Sequence, residues 1–293
     1  MIRAVALLTL LALSPTLAAA AARLGLDADI GAQGVTVLDN GQPVFFYRTK
    51  SANPGAQPAR LDYIHPLFAP DGAVLTEDAP ADHPDQRGLF WSWDRVLVDG
   101  KLVASGEAMT GLTWFVKRTR FEGQADGSAF LIVDADWIDR SGPELRYLAD
   151  ETTRIHIWPL AAGQTRRLDF ATTITPKVAG LAVAGSADAG GHGGFIIRLI
   201  RPQSLVFASD GTVVQPAQGA ISAGTSMGFS WASGPAWSVG LSCRANGAPI
   251  TRWVLRRAPS AQNCVFPGAQ AYAIQPGAPL DLEASVVIRP RRR

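Results

Sequence analysis

The feature that most constrains this chain is a period that its apolar residues lack. Beyond residue 22 no stretch repeats apolar side chains at helical spacing over three turns, so no amphipathic helix is expected. Short β-rich runs stand there instead, separated by Gly, Pro, Asp and Asn. Residues 35–38 and 44–47 flank Asp39-Asn40-Gly41-Gln42, a hairpin signal. Residues 112–121 and 129–137 flank a second turn at 122–128. Residues 145–158 read as one long strand, or two joined by a bulge, and 166–175 as another. Residues 195–201 and 204–208 read as a tight pair around Pro202-Gln203. Runs at 227–232, 237–243, 253–257 and 280–289 complete the set. Within 166–175, Leu168, Phe170 and Ile174 fall on one face, as a half-buried strand requires. Many short strands with turns between them predict an all-β fold, a large two-sheet antiparallel β-sandwich. No Pro-, Ser- and Gly-rich linker divides the chain, so residues 23–293 are expected to form one domain. The Gly-rich segment 178–194 is read as a functional loop inside it.

The first 22 residues are set apart. Arg3 supplies a positive charge, residues 4–13 are apolar, Ser14-Pro15 breaks the run, and residues 18–22 are alanines. That order predicts a secretory signal peptide over 1–22, and hence a periplasmic or secreted protein. The apolar run is shorter than the roughly 20 residues of a spanning helix, so no integral membrane segment is expected after cleavage. Export bears on Cys243 and Cys264, the only cysteines. An even count in an oxidising compartment favours a disulfide over two buried thiols. No CxxC pair or neighbouring His accompanies them, so no metal site is expected, and no cofactor motif is present. A net charge of +2 gives no reason to expect a nucleic-acid partner.

Candidate chemistry lies in three places. There are four histidines, His65, His83, His156 and His192. His65 and His83 share a turn-rich segment with Asp82, Asp85 and Arg87 that runs into Trp91 and Trp93. Binding groups concentrate on loops held by a rigid scaffold. Trp91 and Trp93 stand two apart, so they share a strand face and could stack on a sugar ring; equally, both could be core residues. The second place is Asp188-Ala189-Gly190-Gly191-His192-Gly193-Gly194, where His192 is an acid–base candidate and a mere flexible turn is the alternative. Arg198, in the run that follows, joins the substrate-binding candidates. The third is Glu151, which shares a strand face with Thr153 and Ile155, opposite Asp150, Thr152, Arg154 and His156. It could transfer a proton from a cleft or serve in a cross-strand salt bridge. No nucleophile elbow and no HExxH motif is present.

These residues also carry a resemblance. Tyr63-Ile64-His65-Pro66-Leu67, Pro70-Asp71-Gly72, Asp82-His83-Pro84 and Arg87-Gly88-Leu89-Phe90 resemble the PmoA-like family of unknown function. Trp137, Gly142, Glu151 and the loop Gly190-Gly191-His192-Gly193-Gly194 extend the similarity over nearly the whole mature chain. The family's legacy label, a methane oxygenase, conflicts with the lack of spanning helices. The resemblance implies a supersandwich-like architecture related to galactose-mutarotase-like sugar proteins, and a place in carbohydrate metabolism. Where the family reads His-Pro-His-His-Arg-Gly, this chain has His83-Pro84-Asp85-Gln86-Arg87-Gly88, so two imidazoles are replaced.

Together these features lead us to expect a carbohydrate-active protein that takes a small-molecule or oligosaccharide ligand. In the enzymatic version, a lyase, hydrolase or epimerase, His83, Glu151 and His192 move protons. His65, Asp82, Asp85, Arg87, Trp91, Trp93 and Arg198 then hold the ligand. A non-catalytic sugar binder and a partner-binding protein are the alternatives.

Overall fold

A computed structural model describes residues 24–51 and 60–291; the expected signal peptide lies outside the described residues. Among the described residues the fold is all-β, built from antiparallel sheets, with two short 3-10 turns. One sheet of nine strands runs in the order Leu26–Ile30, Gly34–Asp39, Gln42–Arg48, Tyr63–Leu67, Leu89–Trp93, Gly193–Ile197, Gln262–Val265, Arg252–Val254, Ile221–Ser222. A second sheet of ten runs Thr212–Val214, Leu205–Ser209, Ser226–Trp231, Trp237–Ala245, Leu280–Pro290, Arg166–Pro176, Arg146–Ile157, Ala129–Asp139, Leu112–Gly123, with Ala248–Pro249 paired to Trp237–Ala245. A third, four-stranded sheet orders Tyr272–Ala273, Leu181–Ala184, Arg95–Val98 and Lys101–Ala104. No helix among the described residues is long and apolar enough to cross a membrane.

Local sequence explains much of this. Asn40 and Gly41 take φ of 49° and 77°, the two left-handed positions of a primed hairpin turn, between Gly34–Asp39 and Gln42–Arg48. Leu168, Phe170, Thr172 and Ile174 alternate into the interior, while Arg167, Asp169 and Ala171 face outward. Residues 145–158 form one strand, Arg146–Ile157, with a register shift between Tyr147 and Ala149.

Two expectations change. The runs at 195–201 and 204–208 are not a hairpin. Gly193–Ile197 pairs with Leu89–Trp93 and Gln262–Val265 in the first sheet, whereas Leu205–Ser209 pairs with Thr212–Val214 and Ser226–Trp231 in the second. Primed hairpin turns need φ > 0 at their first central residue, and Pro202 cannot adopt it. The chain instead passes between sheets through left-handed Arg201 (φ 48°) and the 3-10 turn Pro202–Ser204. The segment 178–194 is likewise not all loop, because Leu181–Ala184 is a buried strand of the third sheet.

The core fills the space between the two large sheets. Its densest part is aromatic: Trp93 lies 5.6 Å from Trp137 and 6.3 Å from Trp91, Trp137 lies 5.7 Å from Trp114, and Trp91 lies 5.2 Å from Phe195. Offset-stacked, tilted and edge-on pairs of this kind add to the stabilisation from burial. Cys243 of the second sheet and Cys264 of the first are joined by a disulfide in this interior, as expected. The bond closes a loop of 21 residues, which limits the unfolded chain far more than the folded one. Replacing both cysteines with alanine should therefore lower stability by about 3 kcal/mol, measured by urea unfolding under non-reducing conditions.

Candidate functional site

Strand alternation sorts the candidates into two groups. In Leu89–Trp93 the side chains of Leu89, Trp91 and Trp93 turn inward, leaving Phe90 and Ser92 on the outer face of the first sheet. Trp91 and Trp93 are 8% and 1% exposed, and Trp93 donates its Nε1–H to the Phe266 carbonyl at 2.8 Å. Both are core residues and present no open ring face to a sugar, which corrects the expected stacking platform. Glu151 is also inside. Its Oε2 accepts from Trp137 Nε1 (2.6 Å) and Trp114 Nε1 (3.2 Å), and its Oε1 accepts from Thr153 Oγ1 (3.1 Å). Asp62 lies against it and receives the Tyr47 hydroxyl at 2.7 Å. Burial, and then the charge of Glu151, push the Asp62 carboxyl well above the usual carboxylate range. This is an interior polar network rather than a cleft-facing acid, because Glu151 spends its lone pairs on core indoles and a core hydroxyl.

The other candidates meet on the outer face. Tyr63, Phe90, Ile196 and Ala261 form a small apolar floor there. The 76–87 loop is fastened over it by Arg198, which is 1% exposed. Arg198 donates to Glu77 at 2.9 Å, to Gln86 Oε1 at 2.8 Å and to Asp82 at 3.1 Å. It is thus a strap rather than an open ligand contact. Gln86 serves the same strap and is also buried. Asp78 receives the Tyr63 hydroxyl at 3.1 Å and Arg87 Nη1 at 3.3 Å. His65 Nδ1 shares a 3.0 Å hydrogen bond with Thr76 Oγ1, and burial lowers its pKa.

His192 approaches from the Gly-rich loop. Asp188 Oδ1 accepts from Ser186 Oγ (2.7 Å), Gly190 N (2.8 Å) and Gly191 N (3.1 Å), and Ser186 Oγ accepts the His192 N–H at 2.8 Å. The glycines serve close packing rather than flexibility. A Cβ on Gly194 (φ 115°) would lie 2.3 Å from the Cys264 carbonyl oxygen, and one on Gly185 would lie 2.2 Å from that of Gly191. Burial lowers the His192 pKa, as do the charges of Arg256 and His83, while Asp188 opposes them. His83 is half-buried in the same neighbourhood.

Two residues of this pole were not singled out from the sequence. Glu107 sits in the 105–110 turn, whose Gly106 and Glu107 N–H groups both donate to the Trp93 carbonyl, at 2.9 and 3.1 Å. Burial raises the Glu107 carboxyl to about 7, assisted by the charges of Asp85 and Asp94 and opposed by Arg60. Arg60 stacks on the Phe90 ring at 4.2 Å and donates to Ser92 Oγ at 3.2 Å. Neither belongs to a recognisable motif. The turn Ser105-Gly106-Glu107 reads as a loop, and it reaches the pole because the Arg95–Val98 and Lys101–Ala104 hairpin returns it to the Trp93 carbonyl. Among the described residues no three His, Cys, Asp or Glu side chains converge to hold a metal ion.

A groove of about 500 Å³ runs over the outer face of the second sheet, lined by Arg154, His156, Arg167, Asp169, Arg244 and Glu283 among others. Its aromatic rings are engaged with one another. His156 stacks between Phe130 (4.3 Å) and Trp158 (3.9 Å), and gives Nε2 to a hydrogen bond with Ser128 Oγ. None of the acid–base or ligand-binding candidates expected from the sequence lines it.

The whole therefore belongs to the class of large antiparallel β-sandwiches with a polar pole on one outer sheet face. The chain belongs to a family of unknown function, DUF6807, whose model matches residues 34–292. No curated protein matches it.

Two substitutions separate interior from pole. Between the ordinary Glu range and about pH 7, folded Glu107 keeps a proton that the unfolded chain has released, so stability falls as pH rises across that window. Glu107→Gln should raise stability at pH 8 by up to about 3 kcal/mol and leave it unchanged near pH 4, measured by urea unfolding at both values. Glu151→Ala should instead cost about 3 kcal/mol or more by stranding two buried indole N–H groups, with Glu151→Gln, which keeps an acceptor, costing less in the same assay.

Proposed function

We propose that this pole is an acid–base site for a carbohydrate ligand, in a protein exported to the periplasm or beyond. The observation that carries it is Glu107: a largely desolvated carboxyl held at about 7, beside the Arg60 guanidinium and close enough to Asp188, in the loop of His192, to feel its charge. A group with a pKa near the working pH is the most effective proton carrier, since both its forms are populated. Glu107 takes the role first expected of Glu151, with His192 and His83 as its counterparts. His65, Asp82, Asp85 and Arg87 offer donors and acceptors for hydroxyl groups. The resemblance of the 63–93 segment to the PmoA-like family favours the same chemistry. The expected signal peptide supports the compartment, and the Cys243–Cys264 disulfide is compatible with it. Lyase, hydrolase and epimerase activities all need this pairing of an acid with a base.

One observation favours a non-catalytic sugar binder as the second choice. Gln86, where the family has an imidazole, is occupied in holding Arg198. Thermal unfolding of the mature protein against mono- and disaccharides, with their keto and uronic forms, tests for a ligand. At 100 times its dissociation constant a ligand adds roughly 2.7 kcal/mol. Product analysis with that ligand should show turnover, and Glu107→Gln should reduce kcat by about a hundredfold or more while retaining binding. Turnover undiminished in Glu107→Gln would remove Glu107 from the chemistry; binding without turnover in the wild type would leave the binder.

A further inference from the structure

We propose that the ligand of this site is a sugar bearing a carboxylate, received by Arg60, an inference that rests on the pole being a carbohydrate site. Four arginines among the described residues are buried: Arg60, Arg87, Arg166 and Arg198. Three of them have carboxylates. Arg166 is paired with Asp39, Arg198 with Glu77 and Asp82, and Arg87 with Asp78. Arg60, 2% exposed, has none within ion-pair distance among the described residues.

The partners of Arg60 are all neutral. Its Nη2 donates to Ser92 Oγ (3.2 Å), to the Gly106 carbonyl, and to the Glu107 carbonyl at 3.3 Å. Phe90 lies under its plane at 4.2 Å, and the Trp114 ring is 5.5 Å away. Its Nε is buried without an acceptor, and Nη1 makes no hydrogen bond among the described residues. A guanidinium stripped of water, hydrogen-bonded only to neutral acceptors and met by carboxylates only beyond ion-pair distance is under-compensated, and burial lowers its pKa to about 10 against the opposing charges of Glu107 and Asp85. Charge-assisted bonds to a carboxylate are the strongest it can make.

The surroundings select among anions. Asp85 and Glu107 both lie close enough to act on Arg60, and Asp94 acts on Glu107 in turn. Such a wall tolerates one added negative charge better than the two of a phosphate ester. In the 105–110 turn the Gly106 and Glu107 N–H groups are spent on the Trp93 carbonyl and those of Ser105, Ala108 and Thr110 on one another's oxygens, so the turn presents no run of free N–H groups to nest a phosphate. A uronate or aldonate meets these limits, with its carboxylate at Arg60 and its hydroxyls toward Asp85, Arg87 and His83.

The test is calorimetric titration of the full mature protein at pH 7 in low salt. Galacturonate and glucuronate, free and in disaccharides, are compared with galactose, glucose and their disaccharides, and with inorganic phosphate. At least one acid sugar should bind tenfold or more tightly than its neutral counterpart, and Arg60→Gln should abolish that difference without weakening the neutral sugar. Should Arg60→Gln fail to fold, the wild type is titrated with the uronamide, whose neutral amide should lose the same factor. Neutral sugars binding as well as acid ones, or a uronamide as good as the uronate, would overturn the carboxylate and leave the carbohydrate site intact. Binding of phosphate alone would overturn the acid-sugar ligand. No binding of any sugar would overturn the carbohydrate site and this inference with it.

Discussion

The central strands of the two large sheets each turn one face into a tightly packed interior, and the site follows from that constraint. Successive side chains alternate between faces, so one strand can build core and site together. Leu89–Trp93 does both. Trp91 and Trp93 join the aromatic packing around Trp137, while Phe90 and Ser92 floor the pole and hold Arg60. The tightness of the interior in turn fixes the pole. Gly194 lets the Gly-rich strand lie against the Cys264 carbonyl, and this places His192 beside the strand that carries Ser92.

Polar groups on the two sides of the first sheet serve opposite ends. Inside, Glu151 receives two indoles and a threonine hydroxyl, so its hydrogen bonds stabilise the core and leave little for a ligand. Outside, Glu107 is desolvated but lacks a comparable set of donors, so burial acts on its proton instead. Arg60 links the two, acting on Asp62 beneath and on Glu107 above. A carboxylate that is fully bonded is structural; one desolvated next to an under-compensated cation is available for chemistry.

The arginines show the same division. Arg198 and Arg166 are each neutralised across long sequence separations, tying the 76–87 loop to Gly193–Ile197 and its following residue, and the first hairpin to the second sheet. These pairs set loop positions, and Arg198 holds Asp82 and the segment carrying His83 over the apolar floor. The neighbours Asp85 and Gln86 have parted company: Gln86 is drawn into the strap, while Asp85 stays half-buried at the pole.

Local patterns settled the local structure. Asn40-Gly41 specified a primed turn, Leu168, Phe170 and Ile174 specified an inward face, and an even pair of cysteines in a chain read as exported favoured the bond between them. Alternation also put Trp91 and Trp93 on one face, and Glu151 with Thr153 and Ile155, but a period of two cannot say which face meets water. That depends on which sheet a strand joins and what covers it, as the separated strands around Pro202 make plain. Arg60 and Glu107 lie 47 residues apart and carry no motif. Their meeting comes from the Arg95–Val98 and Lys101–Ala104 hairpin, which returns the turn carrying Glu107 to the end of Leu89–Trp93, and the loss of water there perturbs both. Burial is a property of assembled layers, so the sequence by itself determined the strands, the turns and the pool of candidate residues. Only the tertiary structure decided which of those residues share a desolvated pole.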